Sequence, residues 1–101
     1  MMIVIASKAN SIYLSECEAL GEFLTKNCNN VQVQIILKHK TEWPAFLESL
    51  CTSYGFSKKT CPIVFTSEGE LIGDATAFLA WAKQKFSKDF RITNEMKKKR
   101  A

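Results

Sequence analysis

Ile3-Val4-Ile5-Ala6-Ser7-Lys8-Ala9-Asn10-Ser11-Ile12-Tyr13-Leu14 is the stretch on which the fold of this chain turns. Its apolar, β-favouring start, Ile3 to Ala6, predicts a buried strand. The polar segment from Ser7 ends that strand. A helical spacing then takes over, with Tyr13, Cys17, Leu20, Leu24 and Cys28 on one stripe that faces a core. A strand feeding through a short loop into a helix puts the loop residues at one end of a sheet, beside the first helical turn. Ser11 and Leu14 sit there. A serine hydroxyl is far less acidic than a thiol and forms no disulfide, and leucine offers no reacting atom.

Working outward, Asn27, Asn29 and Asn30 punctuate the end of the first helix. Val31 to Leu37 reads as a second strand, polar on one face at its start. Thr41 is expected to cap the next helix, with Glu42 in its first turn and Pro44 tolerated there, where amides have no intrahelical partner. Trp43, Phe46, Leu47, Leu50, Cys51 and Tyr54 continue at helical spacing, and Gly55 is the expected C-terminal cap. Pro62 to Phe65 forms a third strand and Glu70 to Ile72 a fourth, joined by a hairpin at Ser67-Glu68-Gly69. Gly73-Asp74 opens a last helix, with Asp74 as N-cap and Phe78, Leu79, Ala82 and Phe86 as its buried stripe. The order is β-α-β-α-β-β-α. Two β-α-β steps with right-handed crossovers make the first two strands parallel, and the closing hairpin is antiparallel. The expected fold is an α/β, mixed four-stranded sheet with helices on both faces.

The chain has 101 residues, enough for one core but not two. We expect a domain over 1–88 and a basic tail or linker over 89–101. The formal charge of +4 comes from Lys97, Lys98, Lys99 and Arg100; the remainder balances ten basic against ten acidic residues. No aromatic residues interleave with the basic run, which argues against specific nucleic-acid recognition. No apolar run reaches the roughly 20 residues that span a bilayer, so no membrane role and a cytoplasmic location are expected. Cys17, Cys28, Cys51 and Cys61 are then free thiols. No two of them lie close enough for a zinc motif, and His39, between two lysines, reads as a solvated surface residue; no metal site is expected.

Thr60-Cys61-Pro62 precedes the third strand. Proline is tolerated at the first residue of a strand, and the layout favours a cis Cys61–Pro62 bond that turns the preceding backbone outward. Together with Ser7-Lys8 and the Ile72-Gly73-Asp74 turn, this segment resembles the glutaredoxin family, of thioredoxin-like fold, over about residues 2–87. The resemblance places Ser11 and Leu14 at the two redox cysteine positions, so that they are degenerate, and implies a glutathione-type groove lined by Lys8, Tyr13, Cys61, Pro62, Gly73 and Asp74. Asp74 replaces a second glycine of that family's pattern and sets a negative charge beside the tripeptide's carboxylates. No cofactor is therefore expected, with retained glutathione binding without turnover as a third reading, and iron–sulfur ligation lacks its thiolate at Ser11.

A closer resemblance is carried by Glu42-Trp43, Phe46-Leu47, Leu50-Cys51, Phe56-Ser57 and Cys61-Pro62-Ile63. These look like the amino-terminal, glutaredoxin-like extension of malate dehydrogenase 1B proteins. No Gly-x-Gly-x-x-Gly is present to mark a dinucleotide-binding domain. The resemblance implies a non-enzymatic module for protein docking or scaffolding within a longer dehydrogenase-like chain, in a ciliary or axonemal setting. Trp81, off the main stripe of the last helix, is either an anchor for a protein partner or the margin of the stripe. The contrasting reading is a glutathione-linked oxidoreductase working through Cys61, the one thiol beside the degenerate site. Cys17 and Cys51, on apolar stripes, are expected in the core.

Overall fold

The computed structural model describes residues 1–28 and 30–86. Its elements are β1 (Met2–Lys8), α1 (Leu14–Asn27), β2 (Gln32–Lys38), α2 (Trp43–Tyr54), β3 (Ile63–Thr66), β4 (Leu71–Gly73) and α3 (Ala75–Lys85). The strands form a four-stranded sheet in the order β2-β1-β3-β4. β1 pairs parallel with β2 and antiparallel with β3, and β3 pairs antiparallel with β4.

Alternation of side chains along β1 builds the layers. Ile3 and Ile5 pack with Leu14, Cys17 and Leu24 of α1 and with Phe78 and Ala82 of α3. Val4 and Ala6 point the other way, to Trp43 and Cys51 of α2 and to Ile63 and Phe65. A strand covered on both faces has no solvent side, which is why β1 is apolar without interruption. α1 lies close to β2 because residue 21 is glycine: a Cβ there would stand 3.2 Å from the Val33 side chain.

The structure corrects several details. Each strand ends a residue or more away from the sequence-based bounds, and Gly73 closes β4 rather than opening α3. The second β-α-β step is not a parallel crossover, since β3 runs against β1. Thr41 does not cap α2. Its hydroxyl is 2.9 Å from His39 Nδ1 and its amide also donates to that nitrogen, while Glu42 takes the cap position without a side-chain bond. Tyr13 is the N-cap of α1, not part of its stripe, and is 51% exposed. Leu79 is 41% exposed. α3 buries the narrow stripe of Phe78 and Ala82, with Ala75, Trp81 and Phe86 at its margins, and Leu79 is turned one residue past it toward solvent. Gly55, left-handed at φ 73°, and Asp74, whose carboxylate accepts the Ala77 amide at 2.9 Å, cap as expected. Cys17 and Cys51 are buried. The boundary at residue 88 and the tail 89–101 lie outside the described residues.

Candidate functional site

Three chain segments meet beside the entry to α1. The first is the loop that leaves β1. There the Ser11 amide donates to the Lys8 carbonyl at 3.3 Å and the Leu14 amide to the Ser11 carbonyl at 3.2 Å. Asn10 carries the loop's reversal at φ 72°, a conformation that asparagine tolerates better than most residues. The second is Thr60-Cys61-Pro62, in which the Cys61–Pro62 bond is cis. The third is the β4–α3 turn. Gly73 has φ 128°, and a Cβ on it would lie 2.7 Å from the Ala77 Cβ, so only glycine fits.

Between them lies a cleft of about 290 Å³ whose walls include Tyr13, Thr60, Cys61, Pro62, Asp74 and Thr76. Tyr13, Cys61, Pro62 and Asp74 thus come together. Gly73 does not reach this cleft and lines an adjoining one of about 260 Å³ with Asp74. Lys8 is also separate. It lines a third cavity, of about 440 Å³, with Asn10, His39 and Lys40. Its backbone amide, however, donates to Cys61 Sγ at 3.5 Å. Ser7 is fully buried and gives its hydroxyl proton to the Lys8 carbonyl at 2.9 Å. In its 3.8 Å contact with Cys61 Sγ the thiol is therefore the donor.

Residues 11 and 14 differ. Ser11 is half-buried in the loop, whereas Leu14 is buried in the core cluster. Cys17, one turn further along α1, is 1% exposed; burial, then the negative charges of Glu16, Asp74 and Glu18, push its thiol up to about 11. It is an inert core thiol. Trp81 touches none of these clefts. Its ring meets Phe78 and Phe86 at centroid distances of 6.3 and 5.9 Å, and Lys85 Nζ lies 5.4 Å from it. It is half-buried against the core. The sequence reading omitted Thr76 and the cavity around His39. Thr60, in the segment the sequence singles out, donates its hydroxyl to the Pro62 carbonyl at 2.9 Å.

A family model described as "Putative malate dehydrogenase 1B N-terminal domain" matches residues 2–101. The chain belongs to that family. Among curated malate dehydrogenase 1B relatives, the Bos taurus protein named "Putative malate dehydrogenase 1B" is 27% identical over 102 residues, covering 95% of this chain and 22% of the relative. The Branchiostoma floridae protein of the same name is 28% identical over 101 residues, covering 94% of this chain and 19% of the relative. The chain therefore spans about a fifth of the length of the malate dehydrogenase 1B relatives it matches. Among solved structures, reduced Escherichia coli glutaredoxin superposes with a TM-score of 0.69 at 26% identity, covering 86% of this chain and 99% of that one. A second E. coli glutaredoxin structure gives 0.62 at 25% identity, with the same coverage. This malate dehydrogenase 1B N-terminal domain has the glutaredoxin fold.

Proposed function

We propose that the domain is a redox-inactive, glutaredoxin-like module that docks a protein segment in the cleft beside Cys61 and Pro62, as part of a longer malate dehydrogenase 1B-type protein. The observation that carries this reading is the division of labour at positions 11 and 14. The cleft is open and lined by Tyr13, Cys61 and Asp74, while position 11 bears a hydroxyl and the side chain at 14 belongs to the core. A redox glutaredoxin site needs a thiolate to attack sulfur at this loop; a docking site needs only the cleft. An extended segment beside a strand entry is a recurring way of binding peptides. The cytoplasmic and ciliary or axonemal setting is part of the same proposal.

Two measurements test it. Purified protein given glutathione and a mixed disulfide shows no turnover, and Ser11→Cys gains single-thiol activity; turnover by the wild type would overturn the inactive reading. Partner capture from ciliated cells is weakened by Tyr13→Ala and Asp74→Arg; capture indifferent to both removes the cleft as the docking surface.

One observation favours a second reading, a glutathione-linked oxidoreductase acting through Cys61. The sulfur lines the cleft and accepts the Lys8 amide. In such a reaction the Cys61 thiolate would attack the mixed disulfide, join one sulfur and release the other as a thiolate, and free glutathione would then reduce the new disulfide. Activity that disappears in Cys61→Ser and survives in Ser11→Ala would establish it.

A further inference from the structure

The third cavity has one sign of charge. Lys8, Asn10, His39 and Lys40 line its volume of about 440 Å³. It forms where β1 and β2, parallel and adjacent, both end: Lys8 lies directly opposite Lys38 in register. Crevices at the C-terminal ends of parallel strands are the usual ligand positions of open α/β sheets. Two lysines facing each other across neighbouring strands repel, and that repulsion is relieved by an anion or by acidic neighbours. Among the described residues the ion pairs are Lys26–Glu22 and Lys59–Glu48, so Lys8, Lys38 and Lys40 enter none. Lys38 Nζ is instead drawn 5.1 Å over the Phe46 ring, which fixes the direction of that charge. His39 Nδ1 accepts the Thr41 amide at 3.2 Å. The proton of the neutral ring is therefore on Nε2, a donor.

We propose that this basic pocket seats the carboxylates of an acidic peptide segment, with Lys8 and Lys40 supplying the charge and His39 Nε2 a hydrogen bond. That the anion belongs to a peptide rests on the docking reading above. Lys8 joins the two places, for it lines this pocket while its amide is bonded to the sulfur of Cys61, which lines the cleft. An extended segment lying in the cleft continues past Lys8 into the basic pocket. Lysines are point charges that accept carboxylates in many orientations, which suits a run of glutamates or aspartates.

The test is fluorescence anisotropy with a labelled oligo-glutamate peptide. Lys97, Lys98, Lys99 and Arg100 are replaced by glutamine throughout, so that the tail does not compete. Lys8→Gln and Lys40→Gln each weaken binding about threefold to fivefold, as for exposed ion pairs, and together about tenfold or more. Lys83→Gln, which removes one exposed charge from α3, leaves it unchanged. An equal loss with Lys83→Gln, or no loss with the double variant, overturns the proposal. So does stronger competition by inorganic phosphate than by glutamate at equal ionic strength, because the pocket would then be a phosphate site. The two readings fail separately. A captured partner lost with Tyr13→Ala but kept by the Lys8/Lys40 double variant removes the pocket and leaves the cleft. The opposite pattern removes the cleft.

Discussion

Replacing Gly73 by alanine should be among the most damaging small changes available to this domain. Two costs add. The first is conformational: φ of 128° lies in a region that L side chains rarely adopt, and holding one there costs about 1–3 kcal/mol. The second is steric: the new Cβ would meet the Ala77 Cβ at 2.7 Å, and overpacking of this kind costs about 1–3 kcal/mol. Together they come to about 2–6 kcal/mol, a large part of the roughly 5–15 kcal/mol by which domains are stable. At about 4 kcal/mol, the middle of that range, the melting temperature of a domain this size should fall by about 16–32 °C. Ala77→Gly separates the two costs. Alone it destabilises α3 by about 0.5–1 kcal/mol. Combined with Gly73→Ala it removes the clash but not the strained φ, so the double variant is more stable than Gly73→Ala alone. Urea unfolding followed by circular dichroism on all four proteins closes the cycle. A double variant no more stable than Gly73→Ala would refute the steric half of the reasoning.

Two further outcomes follow from single groups. Asp74→Ala removes the side-chain cap of α3 and costs about 1 kcal/mol, whereas Asp74→Gly costs only a few tenths; Asp74→Gly should also tighten binding of the doubly carboxylated tripeptide glutathione, read by calorimetry, because a negative charge leaves the cleft. Cys17, raised from 9.0 to about 11 by burial, keeps its proton in the folded state while the unfolded thiol begins to lose it near pH 9. The stability it contributes is complete below that pH and lost as pH rises toward 11, by about 2–3 kcal/mol at most; Cys17→Ala should flatten this part of the alkaline unfolding profile.

The fold was legible because its strongest signals were local. The apolar run Ile3–Ala6, the caps Gly55 and Asp74 and the hairpin around Gly69 each specify a backbone state without help from distant residues. What escaped depends on position in the finished sheet. Ile35 and Leu37 read as strand residues and are, but they sit on an edge strand and stay 41% and 52% exposed. Thr41 looks like a cap because a hydroxyl before a helix usually caps; here His39 turns back onto it first, and the helix start shifts by a residue. The site was half legible. Residues flanking turns that only glycine or proline can make were found from those turns. Lys8 went astray because it lines a separate cavity and reaches the cleft only through its amide bond to Cys61 Sγ, a distinction a sequence does not carry. The basic pocket was missed for a related reason: its parts are 30 residues apart and meet only through the register of β1 on β2.

Positions 11 and 14 differ in what a substitution there would cost. Ser11 lies in a loop whose hydrogen bonds are made by its backbone, so a cysteine there would leave the turn intact. Leu14 lies in the cluster with Ile5, Cys17 and Phe78 and is 8% exposed. Burying a leucine contributes about 1.5–3 kcal/mol relative to leaving it exposed. A position that a reactive thiol would keep accessible is here committed to packing, and it secures the first turn of α1, which otherwise begins without a side-chain cap. A cysteine at 11 is therefore nearly free, and a cysteine at 14 removes core. Packing at 14 lies on the stability side of the trade between activity and stability, so Ser11→Cys, and not Leu14→Cys, is the substitution that tests redox chemistry at this end of the sheet without disturbing the core.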